Sequence, residues 1–442
     1  MRPLKICGAR IIDPAQGLDA IRDLWVDGHG RVEAIRRSGG KTDRAKLDER
    51  GRRVVSAHGK WLLPGLIDLH VHLRQPGATK TESVATGTQA AAAGGFTRIV
   101  CMPNTKPVLD NPKTLARLME VIRREARVRV HVAASLSLGL RGQGASDHDA
   151  LFKAGATALS DDGQGTERRD VLAQALATGR LVMVHAEDHK VSAGGQVCAG
   201  PVARQLGLPP WPAAAEGLRV ERDLSCLKRV GGRLHIQHLS TRGALNAVRR
   251  ARAAGLAVSA ELTPHHALLS ADDVLASQGR GPDGGPDPML KMNPPLRGRA
   301  ERRILREALA DGGIQAMATD HAPHSQKAKS RGFEHAPFGV IGLETALAAT
   351  LEMVREGLLD ASRAVALWTL GPAKILDVPV ALRPGAPADL CLVDPNHSWT
   401  VDAGAFLSRS RNTAFAGRAM RGKVILTLLA GRPVYREAGL NW

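Results

Sequence analysis

Two histidines separated by a single residue, His70 and His72, follow an apolar run and could bind one divalent metal ion. The run 62–67 has the composition of a buried strand, and side chains two positions apart on a strand point to the same side. We therefore expect Asp68, His70 and His72 on one face, with Pro76-Gly77 ending the strand. Taken alone, a His-x-His motif is weak, because two unrelated histidines, one of them packed in a core, give the same pattern.

Further histidines and acidic residues occur at the same relative position, the end of a predicted strand. These motifs are Asp-Asp-Gly at 161–163, His-Ala-Glu-Asp at 185–188, His-Ile-Gln-His at 235–238 and Asp-His-Ala-Pro-His at 320–324. Such residues at five strand ends argue against simple core packing. Four histidines and two carboxylates suit a pair of zinc-like ions that share one carboxylate. Such a pair polarises a carbonyl group and activates water at neutral pH, while a nearby aspartate transfers the proton.

The elements that must position these residues alternate from about residue 61 onwards. Short apolar strands are predicted at 62–72, 96–102, 128–135, 156–161, 181–185, 234–238, 257–262 and 314–319. Alanine-rich helical segments are predicted between them at 81–93, 112–127, 170–178, 213–230, 242–254 and 300–311. Eight strands with intervening helices predict an α/β fold, a parallel (β/α)8 TIM-type barrel, with a doubly wound open sheet as the alternative. Barrel enzymes carry their active sites at the carboxyl ends of the strands, where the candidate ligands lie.

Both ends of the chain have β character. Strands are predicted at 4–12, 20–27, 32–35, 388–394 and 421–431, with a charged loop at 41–53 and helices at 343–357 and 361–370. Each end alone is too short for a stable domain, so we expect the two ends to pair. The predicted organisation is a small β-sandwich domain of residues 1–60 and 375–442, beside a metal-dependent hydrolase barrel of residues 61–374.

The charge balance is strongly basic, with 61 Lys and Arg against 43 Asp and Glu and a formal net charge of +18. A basic balance can indicate nucleic-acid binding. Here the basic residues are scattered, and aromatic residues make up only 3% of the chain, so no platform for stacking bases is expected. We interpret the charge as a solvated surface that can attract a small anionic substrate, and we expect no nucleic-acid partner.

The cysteines and the N-terminal sequence indicate the compartment. The 5 cysteines form no Cys-x-x-Cys pair, and their spacing suggests no disulfide framework, which fits a reducing environment. The start of the chain lacks a basic segment followed by an apolar one, and no apolar run reaches about 18 residues. We therefore expect a cytoplasmic protein without a membrane span.

Six motifs together resemble the dihydroorotases of the amidohydrolase superfamily, most closely the long bacterial type, over nearly the whole chain. They are His-Val-His-Leu-Arg at 70–74, Met-Pro-Asn-Thr at 102–105, Ser-Asp-Asp-Gly at 160–163, Lys-Met-Asn-Pro-Pro-Leu-Arg at 291–297, Ala-Thr-Asp-His-Ala-Pro-His at 318–324 and Ala-Pro-Phe-Gly at 336–339. The resemblance implies a (β/α)8 barrel with a small β domain and a site for one or two zinc ions, expected to be binuclear.

The resemblance also implies a set of metal ligands. They are two pairs of histidines, one pair for each ion: His70 with His72, and His185 with His238. Asp162 would bridge the ions in place of the carboxylated lysine of many relatives, and Asp320 would bind metal and act as the catalytic base and then acid. Parity alone does not choose between Asp161 and Asp162, which alternate sides of a strand; the resemblance favours Asp162. Lys153 precedes the strand and is interpreted as a surface lysine.

The substrate-binding residues implied by the resemblance lie in the same motifs. Those for a substrate carboxylate are Arg74, Asn104 and His324, and those for the ring are Asn293 and the backbone around Phe338 and Gly339. Gln75 stands where the family usually has glutamate, which removes a possible ionic partner near Arg74. His265 and His266 follow the seventh strand and are tempting ligands, but the metal set is already complete without them.

The implied activity is the reversible zinc-dependent cyclisation of N-carbamoyl-L-aspartate to (S)-dihydroorotate in de novo pyrimidine biosynthesis. One alternative is a related cyclic amidase that acts on allantoin or hydantoins; many of those use a tyrosine near the scissile amide, whereas the only tyrosine here is Tyr435. Another is a catalytically inactive partner of aspartate transcarbamoylase, which would be expected to have lost metal ligands. A homodimer and an association with aspartate transcarbamoylase both stay open.

Overall fold

The structure is a computed structural model that describes residues 2–39, 47–48 and 51–440. Most of the loop predicted at 41–53 lies outside these residues. The N-terminal strands are β1 (Leu4–Asp13), β2 (Leu18–Val26), β3 (Val32–Arg37), β4 (Arg53–Ser56) and β5 (Trp61–Pro64). Strand β4 was not expected from the sequence, whereas β1 and the β2–β3 hairpin were.

The central strands follow in the predicted order, and two short strands are added among them. They are β6 (Leu66–Val71), β7 (Phe96–Cys101), β8 (Arg129–Ser135), β9 (Ala158–Ser160), β10 (Leu181–Val184), β11 (Val197–Cys198), β12 (Pro210–Trp211), β13 (Arg233–Ile236), β14 (Val258–Leu262) and β15 (Ala316–Met317). Strands β11 and β12 form a separate two-stranded sheet. The C-terminal strands are β16 (Leu390–Thr400), β17 (Ala419–Leu429) and β18 (Arg432–Arg436).

Helices connect the central strands and continue after the last of them. They are α1 (Val84–Ala93), α2 (Pro112–Glu125), α3 (His148–Lys153), α4 (Arg169–Ala177), α5 (His189–Ser192), α6 (Pro201–Leu206), α7 (Ala214–Val230), α8 (Arg242–Ala253), α9 (Pro264–Leu268), α10 (Ala271–Ala276), α11 (Arg299–Asp311), α12 (Gln326–Lys329), α13 (Ala346–Arg355), α14 (Ala361–Ala366) and α15 (Leu370–Leu376). None of the helices in the described ranges is long and apolar enough to cross a bilayer.

The eight central strands form one parallel sheet in the order β6-β7-β8-β9-β10-β13-β14-β15. A parallel bridge joins Val71, at the end of the first strand, to His321, just after the last. Asp68 strengthens the same junction, because its carboxylate accepts hydrogen bonds from Thr319 N at 3.0 Å and Thr319 Oγ1 at 2.6 Å. The sheet is therefore closed into the predicted barrel, and the open-sheet alternative is wrong.

Aliphatic packing stabilises the barrel inside and outside. Ile67, Leu69, Val100, Met102 and Met183 fill its interior and are almost completely buried. A larger buried cluster lies between the strands and the surrounding helices. Burial of each such side chain contributes roughly 1.5–3 kcal/mol to folding. This packed interior leaves the carboxyl ends of the strands as the place where polar side chains can converge.

Strands from both chain ends pair in a second sheet, in the order β18-β17-β16-β5-β1-β2-β3, with β4 on β1. This confirms a small β domain built from the two ends, with its own apolar core. The run predicted as one strand at 62–72 is divided at Gly65: its first part is β5 and pairs with β1 and β16. A Cβ at Gly65 would lie 2.1 Å from Thr97 Oγ1, so only glycine fits this crossing. The predicted division between the barrel and the β domain, at residues 61 and 374, stays a proposal. Because β5 pairs with β1 and β16, the structure favours Gly65 as the first boundary.

Candidate active site

The predicted metal ligands meet at the carboxyl end of the barrel. Their ligand atoms form two groups, each within 4.8 Å: His70 with His72 and Asp162, and Asp162 with His185 and His238. All five side chains are buried. Asp162 belongs to both groups, which is the arrangement that a carboxylate shared by two ions requires.

Distances around the Asp162 carboxylate show how the two groups share it. Its Oδ1 lies 3.1 Å from His70 Nε2, and 3.9 Å from both His185 Nδ1 and His238 Nε2. Its Oδ2 lies 3.5 Å from His72 Nε2. The nitrogen atoms of four imidazoles therefore face one carboxylate, although they come from three different strand ends.

Asp320 lies beside the first group, on the other side of the barrel junction, and is not one of its members. Its Oδ1 lies 3.1 Å from His72 Nε2 and 3.5 Å from His70 Nε2. Its backbone has a φ of 47°, and Arg74 and His238 also have positive φ values, of 54° and 31°. Such left-handed conformations are costly for residues other than glycine and cluster where a site must aim a side chain.

The donor set fits a zinc-like ion. Two imidazoles and a carboxylate in each group are typical zinc ligands. His70 Nε2 is buried and has no hydrogen-bond partner of acceptable geometry, although Asp162 lies beside it. Buried polar atoms without partners are rare in folded proteins, so an imidazole nitrogen of this kind suits a bound metal ion.

Two buried glutamates hold two of the ligands, a role that was not expected from the sequence for either of them. Glu261 Oε1 accepts a hydrogen bond from His70 Nδ1–H at 3.0 Å, which leaves Nε2 of that ring for metal. Glu187 Oε2 accepts one from His185 Nε2–H at 2.9 Å, which leaves Nδ1. These contacts fix opposite tautomers in the two rings. For Glu261 the sequence did hold a signal, because a charged residue inside the apolar strand β14 must find a buried partner.

The electrostatics of the site favour ionised carboxylates. Burial alone would raise the pKa of Asp162 and of Asp320, but the imidazoles of His70 and His72 hold both pKa values below the ordinary range. Burial alone would lower the pKa of His70, yet the same two carboxylates raise it. Burial and the rings of His185 and His70 lower the pKa of His238 to about 3, so that ring is neutral. Ionised carboxylates that stabilise a positive charge on His70 would also attract a divalent cation.

Asp161 points away from the ligand groups. Its Oδ1 accepts a hydrogen bond from the backbone N of His185 at 2.9 Å, and its Oδ2 lies 3.5 Å from Arg219 Nη2. Lys153 is exposed at the end of α3. The structure therefore places Asp162, and neither of these two residues, among the candidate ligands.

The residues expected to bind the substrate carboxylate lie beside the ligands. Asn104 contacts them directly: its Oδ1 accepts from His72 Nδ1–H at 2.8 Å, and its Nδ2 donates to Asp162 Oδ2 at 3.1 Å. Arg74 is half-buried, and its Nε donates to Pro323 O at 3.1 Å. That carbonyl adjoins His324, so Arg74 and His324 lie next to each other.

Gln75 is turned away from Arg74. Its Oε1 accepts a hydrogen bond at 3.0 Å from the backbone N of Val84, the first residue of α1. A free N–H at a helix start is thereby satisfied. In the described part of the chain, the hydrogen bond that orients Arg74 goes to Pro323 O, and Gln75 binds the start of α1.

The residues expected around the substrate ring belong to a connected group of loops. His324 Nε2 donates to Phe338 O at 2.8 Å, and Gly339 N donates to Lys291 O at 2.9 Å. Asn293 Nδ2 donates to Glu187 Oε2 at 3.2 Å, which links this group to the second metal-ligand group. Asn293 is thus joined to the second ligand group through Glu187, and Phe338 lies against His324.

His265 and His266 differ from each other. Both nitrogens of His266 have partners, Thr263 Oγ1 at 2.7 Å and Pro294 O at 2.9 Å, so this ring has a structural role. His265 Nε2 is buried without a hydrogen-bond partner. Neither ring belongs to the two ligand groups found in the described residues.

Comparisons with known proteins find relatives over nearly the full length of the chain. Residues 59–244 match the family model described as Dihydro-orotase-like. A protein of Anaeromyxobacter dehalogenans named Dihydroorotase is 41% identical over 441 residues, which covers 98% of each chain. Another of the same name, from Syntrophus aciditrophicus, is 40% identical over 97% of this chain and 98% of its own.

A solved structure, the L-hydantoinase (dihydropyrimidinase) of Arthrobacter aurescens, has the same fold, with a TM-score of 0.85 over 100% of this chain and 97% of its own. Its sequence is 23% identical, so this likeness concerns the fold alone. The full-length relatives at about 40% identity carry the family assignment. On the strength of this full-length similarity, the chain belongs to the dihydroorotase family.

Proposed function

We propose that this chain catalyses the reversible cyclisation of N-carbamoyl-L-aspartate to (S)-dihydroorotate. The observation that carries the proposal is the pair of ligand groups that share Asp162, with Arg74 and His324 adjoining each other beside them. The full-length identity to proteins named Dihydroorotase supports the same reaction.

We assign the metal positions to zinc, two ions per chain. His70 and His72 would hold one ion, His185 and His238 the other, and Asp162 would bridge them. Bound zinc ions polarise a carbonyl oxygen and lower the pKa of a shared water. Glu261 and Glu187 hold the imidazoles in the tautomers that binding needs.

Asp320 is the proposed proton carrier. In the hydrolytic direction, water oxygen forms a bond to the ring amide carbon, and the bond from that carbon to the ring nitrogen breaks. Asp320 takes a proton from the water and gives it to the leaving nitrogen, and ring closure reverses these transfers. Its pKa is held low by His70 and His72 against the effect of burial, so Asp320 is ionised and can accept the proton.

The loops beside the ligands are proposed to hold the substrate. Arg74 can bind the substrate carboxylate through two parallel charge-assisted hydrogen bonds. Asn104 and His324 would contact the same carboxylate, while Asn293 and the backbone of Phe338 and Gly339 would contact the ring. The half-buried side chains at these positions leave them accessible to a small molecule.

We also propose that this reaction serves pyrimidine biosynthesis in the cytoplasm. The 5 cysteines are all free, which fits a reducing compartment. The proposal needs no partner chain to complete the ligand groups, because all their members come from one chain.

The test is an assay of the zinc-loaded protein with N-carbamoyl-L-aspartate and with dihydroorotate, following ring closure and ring opening. Allantoin and hydantoin serve as competing substrates, and a chelated sample serves as the metal-free control. Turnover in both directions that depends on metal is expected. Turnover of allantoin or hydantoin without turnover of dihydroorotate would assign the site to another cyclic amidase.

A further inference from the structure

The connection between β16 and β17 runs from the small β domain to the mouth of the barrel. Within it, residues 407–412 form the connecting segment. They contact the loop between β6 and α1 and the loops on both sides of α12, which follow β15. Ser410 Oγ donates to Thr81 O at 2.8 Å, in the loop that follows Arg74. Ser408 and Arg409 donate to the carboxylate of Glu82 in the same region. The segment thus lies against the loops that carry the candidate substrate-binding residues.

Asn412 makes the most concentrated set of these contacts. Its Oδ1 accepts from His324 N at 3.1 Å, and its Nδ2 donates to Ala322 O at 3.0 Å and to Gly339 O at 3.3 Å. Its backbone O accepts from Ile341 N at 2.9 Å. The donors and acceptors around the amide fix its orientation, because a backbone N–H needs an acceptor and carbonyls need donors.

Asn412 is buried, which makes the loss of these hydrogen bonds costly. The residue is only 2% exposed, so water cannot replace a lost partner. The two loops that it joins carry His324 on one side and Gly339 on the other. These loops also meet directly, through His324 Nε2–H and Phe338 O at 2.8 Å. Removing the Asn412 amide would leave one backbone N–H and two carbonyls without this partner.

We propose that Asn412 is a positioning residue that sets the spacing between the carboxylate-binding His324 and the ring-binding backbone of Gly339. This inference rests on the proposed function, and it gives the small β domain a part in substrate binding. The Asn412 amide bonds to the backbone of Ala322, His324 and Gly339, none of which is a candidate metal ligand. Its loss should therefore affect substrate recognition and leave metal binding intact. A shift of about 1 Å in a binding group can cost on the order of a hundredfold in rate.

The test compares Asn412→Ala with Asn396→Ala in the zinc-loaded, full-length protein. Asn396 is an exposed residue of β16. Its Oδ1 accepts a hydrogen bond from Arg421 of β17 on the surface of the sheet. Asn412→Ala should lower kcat/KM for dihydroorotate by about tenfold to a hundredfold, mainly through KM. Turnover of dihydrouracil, which keeps the ring but lacks the carboxylate, should fall by a clearly smaller factor. Zinc content should stay at the wild-type value, and Asn396→Ala should match wild type throughout.

Amide hydrogen exchange gives a readout that needs no substrate. The His324 amide should exchange faster in Asn412→Ala, because it loses its acceptor, whereas Asn412→Asp should retain protection there, since it keeps an acceptor oxygen. Equal losses of activity on both substrates, or an unchanged exchange rate at His324, would overturn the inference. If wild type fails to process dihydroorotate, the proposed function fails, and the exchange rates alone still decide whether Asn412 holds the loop.

Discussion

Glu261 Oε1 lies 3.0 Å from His70 Nδ1, and both side chains are completely buried. The other carboxylate oxygen accepts a hydrogen bond from His235 Nε2–H at 2.9 Å, and Ser259 Oγ contacts the far nitrogen of His235 at 2.8 Å. Burial alone would raise the pKa of Glu261, but His235 and His70 lower it to about 2. An ionised glutamate therefore keeps the first candidate ligand in the tautomer that presents Nε2 to metal.

Glu261→Gln should weaken metal binding in the ligand pair that contains His70. An amide must present an N–H to one of two imidazole N–H groups, so one hydrogen bond is lost and the ring can change tautomer. Zinc affinity, measured by competition with a chromophoric chelator, should fall by about 10–100-fold. Glu307→Gln, at a side chain that is 59% exposed, is the matched control and should leave affinity unchanged. Wild-type affinity in Glu261→Gln would contradict this role.

Asp162→Asn should remove the shared ligand, while Asp161→Asn should not. Only Asp162 belongs to both ligand groups, and Asp161 faces Arg219 and the backbone of His185. We expect zinc content and turnover to fall together in the first variant and zinc content to be retained in the second. Metal analysis of both purified proteins decides this, and the reverse pattern would place the bridge at Asp161.

Asp320→Asn should keep the fold and lose most turnover. The amide has nearly the same shape but can neither accept a proton from water nor return it to the leaving nitrogen. Loss of general acid–base catalysis typically lowers rates by about 10²–10⁴-fold. The measurement is kcat for dihydroorotate, with circular dichroism as the control for folding. A kcat within a few-fold of wild type would rule out Asp320 as the proton carrier.

Much of this arrangement could be predicted from the sequence because a parallel barrel aligns its strand ends. Once the strands were placed, His70, Asp162, His185 and His238 were expected at one end, and the structure brings them together there. Asp68, expected on the same face as the two histidines, is not part of either ligand group. Its carboxylate accepts hydrogen bonds from the backbone N of His70 and from Thr319 across the barrel junction.

The unpredicted features depend on contacts between distant parts of the chain. Gly65 divides an apolar run between two sheets because it crosses closely over Thr97, which no local pattern shows. Asn412 lies 88 residues from its partner His324, in the connection between β16 and β17. Glu261 interrupts an apolar strand, which marks it as unusual, but its partner His70 is 191 residues away. Such pairings become visible only when the fold is known.

Glu344 should make stability depend on pH in a defined direction. Burial raises the pKa of its carboxyl from 4.5 to about 7, although the backbone N–H groups of Leu407 and Ser408 donate to it. Because the folded pKa is the higher one, this residue's stabilising contribution is complete below pH 4.5 and is lost as the pH rises to about 7.

The free energy of unfolding of Glu344→Gln should therefore rise relative to wild type as the pH rises from about 4.5 to about 7. The gain should be on the order of 3 kcal/mol at most. Above this window the difference between the two proteins should be constant. Urea unfolding of both zinc-loaded proteins at several pH values measures the difference, which cancels the titration of groups they share. A difference in the free energy of unfolding that does not change with pH would contradict the raised pKa of Glu344. So would a difference that favours Glu344→Gln more strongly at lower pH.

The most direct test of the proposed function is the ratio of kcat/KM for dihydroorotate to that for dihydrouracil, the same ring without the carboxylate. A site whose polar groups are built for a carboxylate discriminates strongly against an analogue that leaves them unpaired. We expect the wild-type ratio to favour dihydroorotate by at least about 10³. Arg74→Met should reduce this ratio by impairing turnover of dihydroorotate. Zinc content and the slow turnover of dihydrouracil should stay unchanged in that variant. Wild-type turnover of dihydrouracil or allantoin as fast as dihydroorotate would contradict the proposal and leave a general cyclic amidase.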